Sequence, residues 1–438
     1  MKKKLKFPVV GTDRQLAFLR EIGNTNLNFE MLFAQRLDEK RLAHAIKLLF
    51  EAEPILKCRF VYRKWNPYWE EIESTGSDFI FTTDKKAFNH FRKRYINIWK
   101  ERGFTACLFR DTEFDHLVLK IAHDICDAGG CKHLSLILSK MYENLKNEPD
   151  YKPIPNIKGS RGAWQVLKRI PWKGFFKIYL NYIQQLKIQS DPEASCSLPA
   201  SPERGDEPYV RVHHFDQELI EVVKQIGKQY HATINDIFIA AFLKAILTIG
   251  NWDQKSILRL TYTVDLRSHY LIHDKAQSLC NLSGFEHISL GNRFKDDLMD
   301  LLIRITACTQ NRKSDYIGLN DYIGGMPIIK ILPFQIGLNL FQYVIQRKLR
   351  NKNIHNTIIT NMGPIEPESV TYDQPAENAW IIAPVMYPPF LGLGLTGYNN
   401  GITLSAGTYP PGITKDNIDQ LLELMKNNIA IFREKAIA

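Results

Sequence analysis

Residues 121–130 read Ile121-Ala122-His123-Asp124-Ile125-Cys126-Asp127-Ala128-Gly129-Gly130. Upstream, Leu117, Leu119, Ile121 and His123 alternate along one face of an expected strand over 116–123. Downstream, Leu134, Leu138 and Met141 recur at helical spacing, which predicts a helix from about Lys132 to Leu145. A buried strand therefore delivers an imidazole at its C-terminal end. Gly129 and Gly130 then let the backbone turn tightly into a helix.

Strand ends next to such turns are where a rigid scaffold exposes reactive groups. A neutral imidazole there can take a proton from a hydroxyl or amine while that atom attacks a carbonyl, and histidine suits the task because its pKa lies near working pH. Asp127, four residues on, can accept a hydrogen bond or pair with an arginine and so hold the shape of the loop. On spacing alone, a histidine at a strand end is more often a satisfied structural residue. His123, Cys126, Cys131 and His133 have no structural-zinc spacing, so no metal is expected. Cys126 is a weaker alternative as a nucleophile.

Outward from this stretch the chain alternates strands and helices. Thr12 with Gln15 has the spacing of a capping box for a first helix, and Asp38 caps a second. A strand near 208–215 leads into a helix capped by Asp216. Thr233 with Asp236 opens a helix that is apolar nearly all round and should be buried. Asn399-Asn400-Gly401 between two apolar runs marks a hairpin. His213-His214 is a second histidine pair. Glu218 stands where an aspartate would be needed, no glycine follows, and the pair reads as part of a strand in the second half.

The chain of 438 residues exceeds what one core organises. Three segments are expected: an N-terminal α/β domain at 1–160, a basic linker at 161–205 and a C-terminal α/β domain at 206–438. Within 161–188, Trp164, Trp172, Phe175, Phe176, Tyr179 and Tyr182 are interleaved with Lys and Arg. Pro171 and Gly174 divide it into two short helices. Either its aromatics pack on the second domain with its lysines in water, or it lies on a membrane or lipid substrate.

The net charge of +10 suits a lysine-rich surface or an anionic partner such as a phosphate-bearing cofactor, an acidic carrier protein or a membrane. No zinc-finger spacing or aromatic ribonucleoprotein motif supports nucleic acid, and no phosphate-cradling glycine motif supports nucleotide-driven chemistry. Seven cysteines with no CxxC pair point to free thiols in a reducing, cytoplasmic setting.

The stretch 121–130 resembles the HHxxxDG motif of the chloramphenicol-acetyltransferase-like superfamily, which includes nonribosomal peptide condensation domains, polyketide-associated acyltransferases and wax-ester synthases. His123 falls on the catalytic base of that motif and Asp127 on its aspartate. Ala122 replaces the first histidine, and Ala128 replaces the motif glycine, with Gly129 and Gly130 just after. The likeness extends over nearly the whole chain, through Asp13 to Phe60, Thr233-Ile234-Asn235-Asp236, Thr263-Val264-Asp265-Leu266-Arg267, Asn281-Leu282-Ser283-Gly284-Phe285 and Thr360-Asn361-Met362-Gly363-Pro364. The overall look is that of free-standing bacterial condensation-like alcohol acyltransferases.

This resemblance implies an α/β pseudo-dimer: two chloramphenicol-acetyltransferase-like domains in a V, with a tunnel along their interface and His123 midway. It implies that Asp127 pairs with an arginine, for which Arg267 is the candidate by position. Gly129 and Gly130 would support the loop, and Asn361 or Cys126 would serve the substrate or oxyanion. The implied donor is an acyl-coenzyme A or acyl carrier protein thioester, with no tightly bound cofactor and any carrier acting in trans. The implied acceptor is a small alcohol or amine. Amide-forming condensation and a degenerate, non-catalytic binding protein are the alternatives. A monomer is expected.

Overall fold

The computed structural model describes residues 4–437 apart from 75, 77, 192, 251, 254, 268–277, 293–294, 314–315 and 351–356. The N-terminal part runs α1 (Gly11–Leu19), β1 (Asn26–Phe33), α2 (Glu39–Ala52), β2 (Phe79–Thr82), β3 (Phe104–Arg110), β4 (Asp115–Ala122) and α3 (Ala128–Asn147). Then come α4 (Trp172–Ser190), β5 (Tyr209–Phe215), α5 (Gln217–Gln229), α6 (Ile234–Ile249), β6 (Leu258–Asp265) and β7 (Ser283–Gly291). The last third holds α7 (Gly325–Ile331), α8 (Phe334–Arg350), β8 (Thr357–Pro364), β9 (Asn378–Ile382), β10 (Leu391–Tyr398), β11 (Gly401–Thr408) and α9 (Lys415–Ile437).

These elements make two lobes, each built on a mixed sheet. Among the described residues, the first sheet has the strand order β9-β1-β4-β3-β2, and the second has the order β7-β6-β8-β10-β11-β5. Strand β4 lies in the middle of its sheet, and all eight of its residues are buried. Its apparent alternation therefore does not mark a solvent face: Lys120, the charged residue in the pattern, is buried with its ammonium on the carbonyls of Arg92 and Arg94. Asp38 caps α2 as its position predicts, accepting from the Lys40 and Arg41 N–H groups. Thr233 and Asp236 cap each other at the start of the buried α6. Asn399 and Asn400 both adopt positive φ, 46° and 61°, the left-handed pair that a two-residue hairpin turn requires.

Three expectations need correction. The cap of α1 is not Thr12 with Gln15; Asp13 reaches back to the Val10 N–H, because the helix begins two residues earlier. A short helix at Trp164–Leu167 does end before Pro171, as expected, but Gly174 does not break the helix that follows. It sits in the first turn of the 19-residue α4, where an added methyl would strike Ile170 and Tyr316, so its smallness allows packing rather than a turn. The linker aromatics do not all pack inward either: Trp172, Phe176 and Tyr179 are exposed.

Strand β9 carries the late chain back into the first sheet. It pairs antiparallel with β1, Asn378 opposite Leu32 and Ile382 opposite Asn28. Lys132 on α3 donates to the Met362 and Pro364 carbonyls at the end of β8. The lobes are therefore stitched together beside the residue 123–130 loop, which fixes the gap between them.

Candidate active site

Four residues separate the end of β4 from Asp127, the N-cap of α3. That extension carries His123 out of the sheet and into the gap between the lobes. The His123 N–H donates to the Thr25 carbonyl at 2.9 Å. The adjoining Asp124 is wholly buried and turned the other way, onto the Arg20 guanidinium at 3.0 and 3.2 Å.

The ring of His123 is held from the other lobe. Its Nδ1 lies 3.0 Å from Asn281 Oδ1. The orientation of the Asn281 amide follows from its other end, since Nδ2 lies 2.9 Å from the His123 carbonyl and 3.4 Å from that of Asp124. Two carbonyls can only accept, so Nδ2 points at them and Oδ1 faces the ring. His123 Nδ1 must then carry a hydrogen, and in the neutral ring Nε2 is the nitrogen with the lone pair. His123 is half-buried and lines the cavity between the lobes.

Asp127 and Arg267 meet as the resemblance implied, with Nη1 2.9 Å from the carboxylate. Asp127 also accepts from the Gly130 N–H at 2.9 Å, the Leu282 N–H at 2.6 Å and the Ser283 hydroxyl at 3.0 Å. Burial works to raise its pKa, and the Arg267 charge with these hydrogen bonds outweighs burial, holding the carboxyl below its ordinary value. A methyl on Gly129 would lie 2.8 Å from Arg267 Nη1, and one on Gly130 would lie 2.5 Å from Cys126 Cβ. Both glycines are therefore needed for the ion pair and the turn to close.

Asn361 lines the same cavity, with its Oδ1 accepting from the Gly363 N–H at 3.0 Å. Cys126 does not join it. The Cys126 thiol is sealed in the first lobe, 3.9 Å from the Cys131 sulfur. That neighbour, together with burial, pushes its pKa well above the ordinary value, so Cys126 neither contacts substrate nor supplies a thiolate.

Sequence reasoning missed three residue sets. Asn281 is named only within the segment that crosses between the halves, and its partner lies 158 positions away. Arg20 with Asp124 was not anticipated. Nor was Arg161, which joins Asp13 at 2.8 Å, the Leu279 carbonyl at 2.9 Å and the Ile125 carbonyl at 3.1 Å. All three link residues far apart in sequence, and no local periodicity announces them.

Two cavities meet at the loop. The one containing His123 is walled by α1 residues such as Leu16 and Leu19, and by Phe285 and Ile358 of the second sheet. The other opens along α3 and shares Gly129, Thr263, Asp265 and Asn361 with the first. The Thr12 and Thr25 hydroxyls, in the wall of the first, have no hydrogen-bond partner among the described residues.

No family model and no curated protein matches the chain. Solved structures do. The trichothecene 15-O-acetyltransferase TRI3 of Fusarium sporotrichioides superposes with a TM-score of 0.70 at 12% identity, covering 98% of this chain and 96% of that one. The first condensation domain of the CDA synthetase gives 0.67 at 13% identity, over 98% and 96%. Polyketide synthase associated protein 5 of Mycobacterium tuberculosis gives 0.66 at 13% identity, over 97% of each. The chain has the two-lobed fold of condensation domains and chloramphenicol-acetyltransferase-like acyltransferases.

Proposed function

We propose that the chain is an acyltransferase, moving an acyl group from a thioester to a hydroxyl or amine with His123 as general base. The observation that carries this reading is His123 Nε2: a lone pair on a ring whose other nitrogen is fixed by Asn281, in a cavity between the lobes. Nε2 takes the proton from the acceptor O–H or N–H as that atom attacks the thioester carbonyl. The tetrahedral intermediate collapses by breaking the C–S bond, and the imidazolium returns the proton to the departing thiolate. Asn361, with its oxygen already engaged by Gly363, keeps its amide N–H groups for the oxyanion. Asp127 and Arg267 position the loop and touch no reacting atom.

The two motif departures are compatible with activity. Ala122 is fully buried in the core of the first lobe and does not line the cavity, so the missing first histidine leaves the cavity wall unchanged. Ala128 opens α3, and the tight contacts fall to Gly129 and Gly130. The donor class is acyl-coenzyme A or an acyl carrier protein in trans. O-acetyl transfer, the activity named for TRI3, supports an ester product over an amide.

The test is acyl transfer from acetyl- and longer acyl-coenzyme A to a panel of alcohols and amines, read by mass spectrometry. The wild type should form product, and His123→Ala should lose at least about 10²-fold in rate. Equal rates for the two proteins would end the mechanism.

A further inference from the structure

Helix α4 is amphipathic the wrong way round. Its buried stripe is Gly174, Ile178, Asn181 and Gln185. Its exposed stripe is Trp172, Phe176, Tyr179, Leu180 and Leu186, with Trp172 77% exposed. A surface helix ordinarily turns its apolar stripe to the core. Gln185 explains the inversion on the inner side, because its amide pairs with the His287 backbone N–H and carbonyl on the edge strand β7. The outer side has no such explanation among the described residues.

Helices α7 and α8 bury one apolar side, with Met326, Phe334 and Phe341 packed inward, and expose a second. Ile328 and Ile331 on α7, and Ile336, Leu340, Tyr343 and Val344 on α8, all stand in solvent, with Ile331 76% exposed. The two regions abut where the Tyr182 ring of α4 packs on Gly324, just before α7. A single monomer seldom exposes apolar surface on this scale without a partner.

Charge identifies the partner. No Asp or Glu occurs from 151 to 190 or from 322 to 365, while those stretches hold eight and five Lys or Arg. They contain thirteen of the chain's 57 basic residues, and the remaining 44 face 47 acidic ones. The whole positive excess of the protein thus lies in the two segments that expose aromatic and aliphatic side chains. Lys173, Lys177 and Lys187 flank the α4 stripe, and Lys330, Arg347 and Arg350 flank that of α7 and α8. An apolar stripe bordered by cations, with Trp and Tyr among its residues, matches the boundary of an anionic bilayer. No single helix among the described residues is long and apolar enough to span one.

We infer that α4, α7 and α8 together form a docking surface for anionic lipid membranes, on which the protein lies peripherally. The inference is independent of the acyl-transfer reading. The test is co-sedimentation of the full chain with vesicles of phosphatidylcholine and phosphatidylglycerol, against vesicles of phosphatidylcholine alone. At low salt the anionic vesicles should bind at least about tenfold better, and raising the salt should release the protein. K173E/K177E should lower binding at least about tenfold. W172S/F176S and, on the other helix, I331S should each weaken it severalfold. These side chains are exposed, so thermal melting of the variants should match the wild type. Equal sedimentation of wild type and variants would overturn the inference. So would a wild-type dimer, by light scattering, that W172S/F176S dissociates, because a second copy would then cover the face.

Discussion

The two lobes each follow a histidine-bearing strand with a helix capped by an aspartate, and only one of them makes a site. In the first, Asp127 accepts from Gly130 to start α3. In the second, Asp216 accepts from Leu219 to start α5, also at 2.9 Å. The difference is in what lies between strand and cap. Four residues separate β4 from Asp127, whereas Asp216 follows β5 directly. The insertion lets His123 leave the sheet for the gap. His213 and His214 stay inside the ladder, opposite Leu404 and Thr403. The second difference is reach. Asp127 receives Arg267, Leu282 and Ser283 from the other lobe, while Asp216 serves as a local cap. A shared strand–cap–helix unit becomes a site when the turn is long enough to be gripped from across the interface.

The largest test of that grip is Arg267→Ala. It leaves a buried carboxylate without its ionic partner, and should cost about 3 kcal/mol in denaturant unfolding. A loss below about 1 kcal/mol would mean that the hydrogen bonds to Asp127 suffice alone. Next comes the aspartate contrast. Asn caps a helix about as well as Asp, so Asp216→Asn should stay within about 0.5 kcal/mol, while Asp127→Asn should cost about 2 kcal/mol at neutral pH. The depressed Asp127 pKa gives this a pH signature. The folded chain holds the carboxylate ionised better than the unfolded chain, so that stability is present above pH 3.8 and is lost as pH falls further. Asp127→Asn should flatten this acid limb and Asp216→Asn should leave it. Asn281→Ala should then lower kcat on the order of tenfold with little change in KM, because the ring loses its fixed tautomer and orientation. An unchanged kcat would show that the imidazole orients itself.

What could be read from residues was local. The Asp38, Asp216 and Thr233 caps and the Asn399-Asn400 turn use side chains within a few positions of the groups they satisfy, and all appear where expected. Among long-range features, the Asp127–Arg267 pair followed from a motif and not from spacing. Asn281, Arg161 and the pairing of β9 with β1 were invisible, since each joins segments more than one hundred positions apart. The direction of the exposed face of α4 stayed open in the sequence for a related reason. Periodicity finds an apolar stripe but does not say which way it points, and here the edge strand takes the polar stripe.

The smallest effect is expected from the histidine pair that most resembles the motif by letter. His214 Nδ1 lies 2.8 Å from the Thr403 hydroxyl, its ring stands edge-on to Trp380 with centroids 4.9 Å apart, and neither His213 nor His214 lines the cavity that holds His123. Replacing both with alanine should leave kcat/KM within about twofold of wild type, because neither ring meets the reacting atoms. Stability should report them instead. Burial lowers the pKa of both histidines, so the folded chain binds fewer protons here than the unfolded one, and stability falls as pH drops below 6.5. The double variant should lose that slope while keeping its rate. The opposite outcome, a rate loss beyond tenfold with the slope intact, would place the second lobe's histidines in the chemistry and dissolve the asymmetry between the two turns.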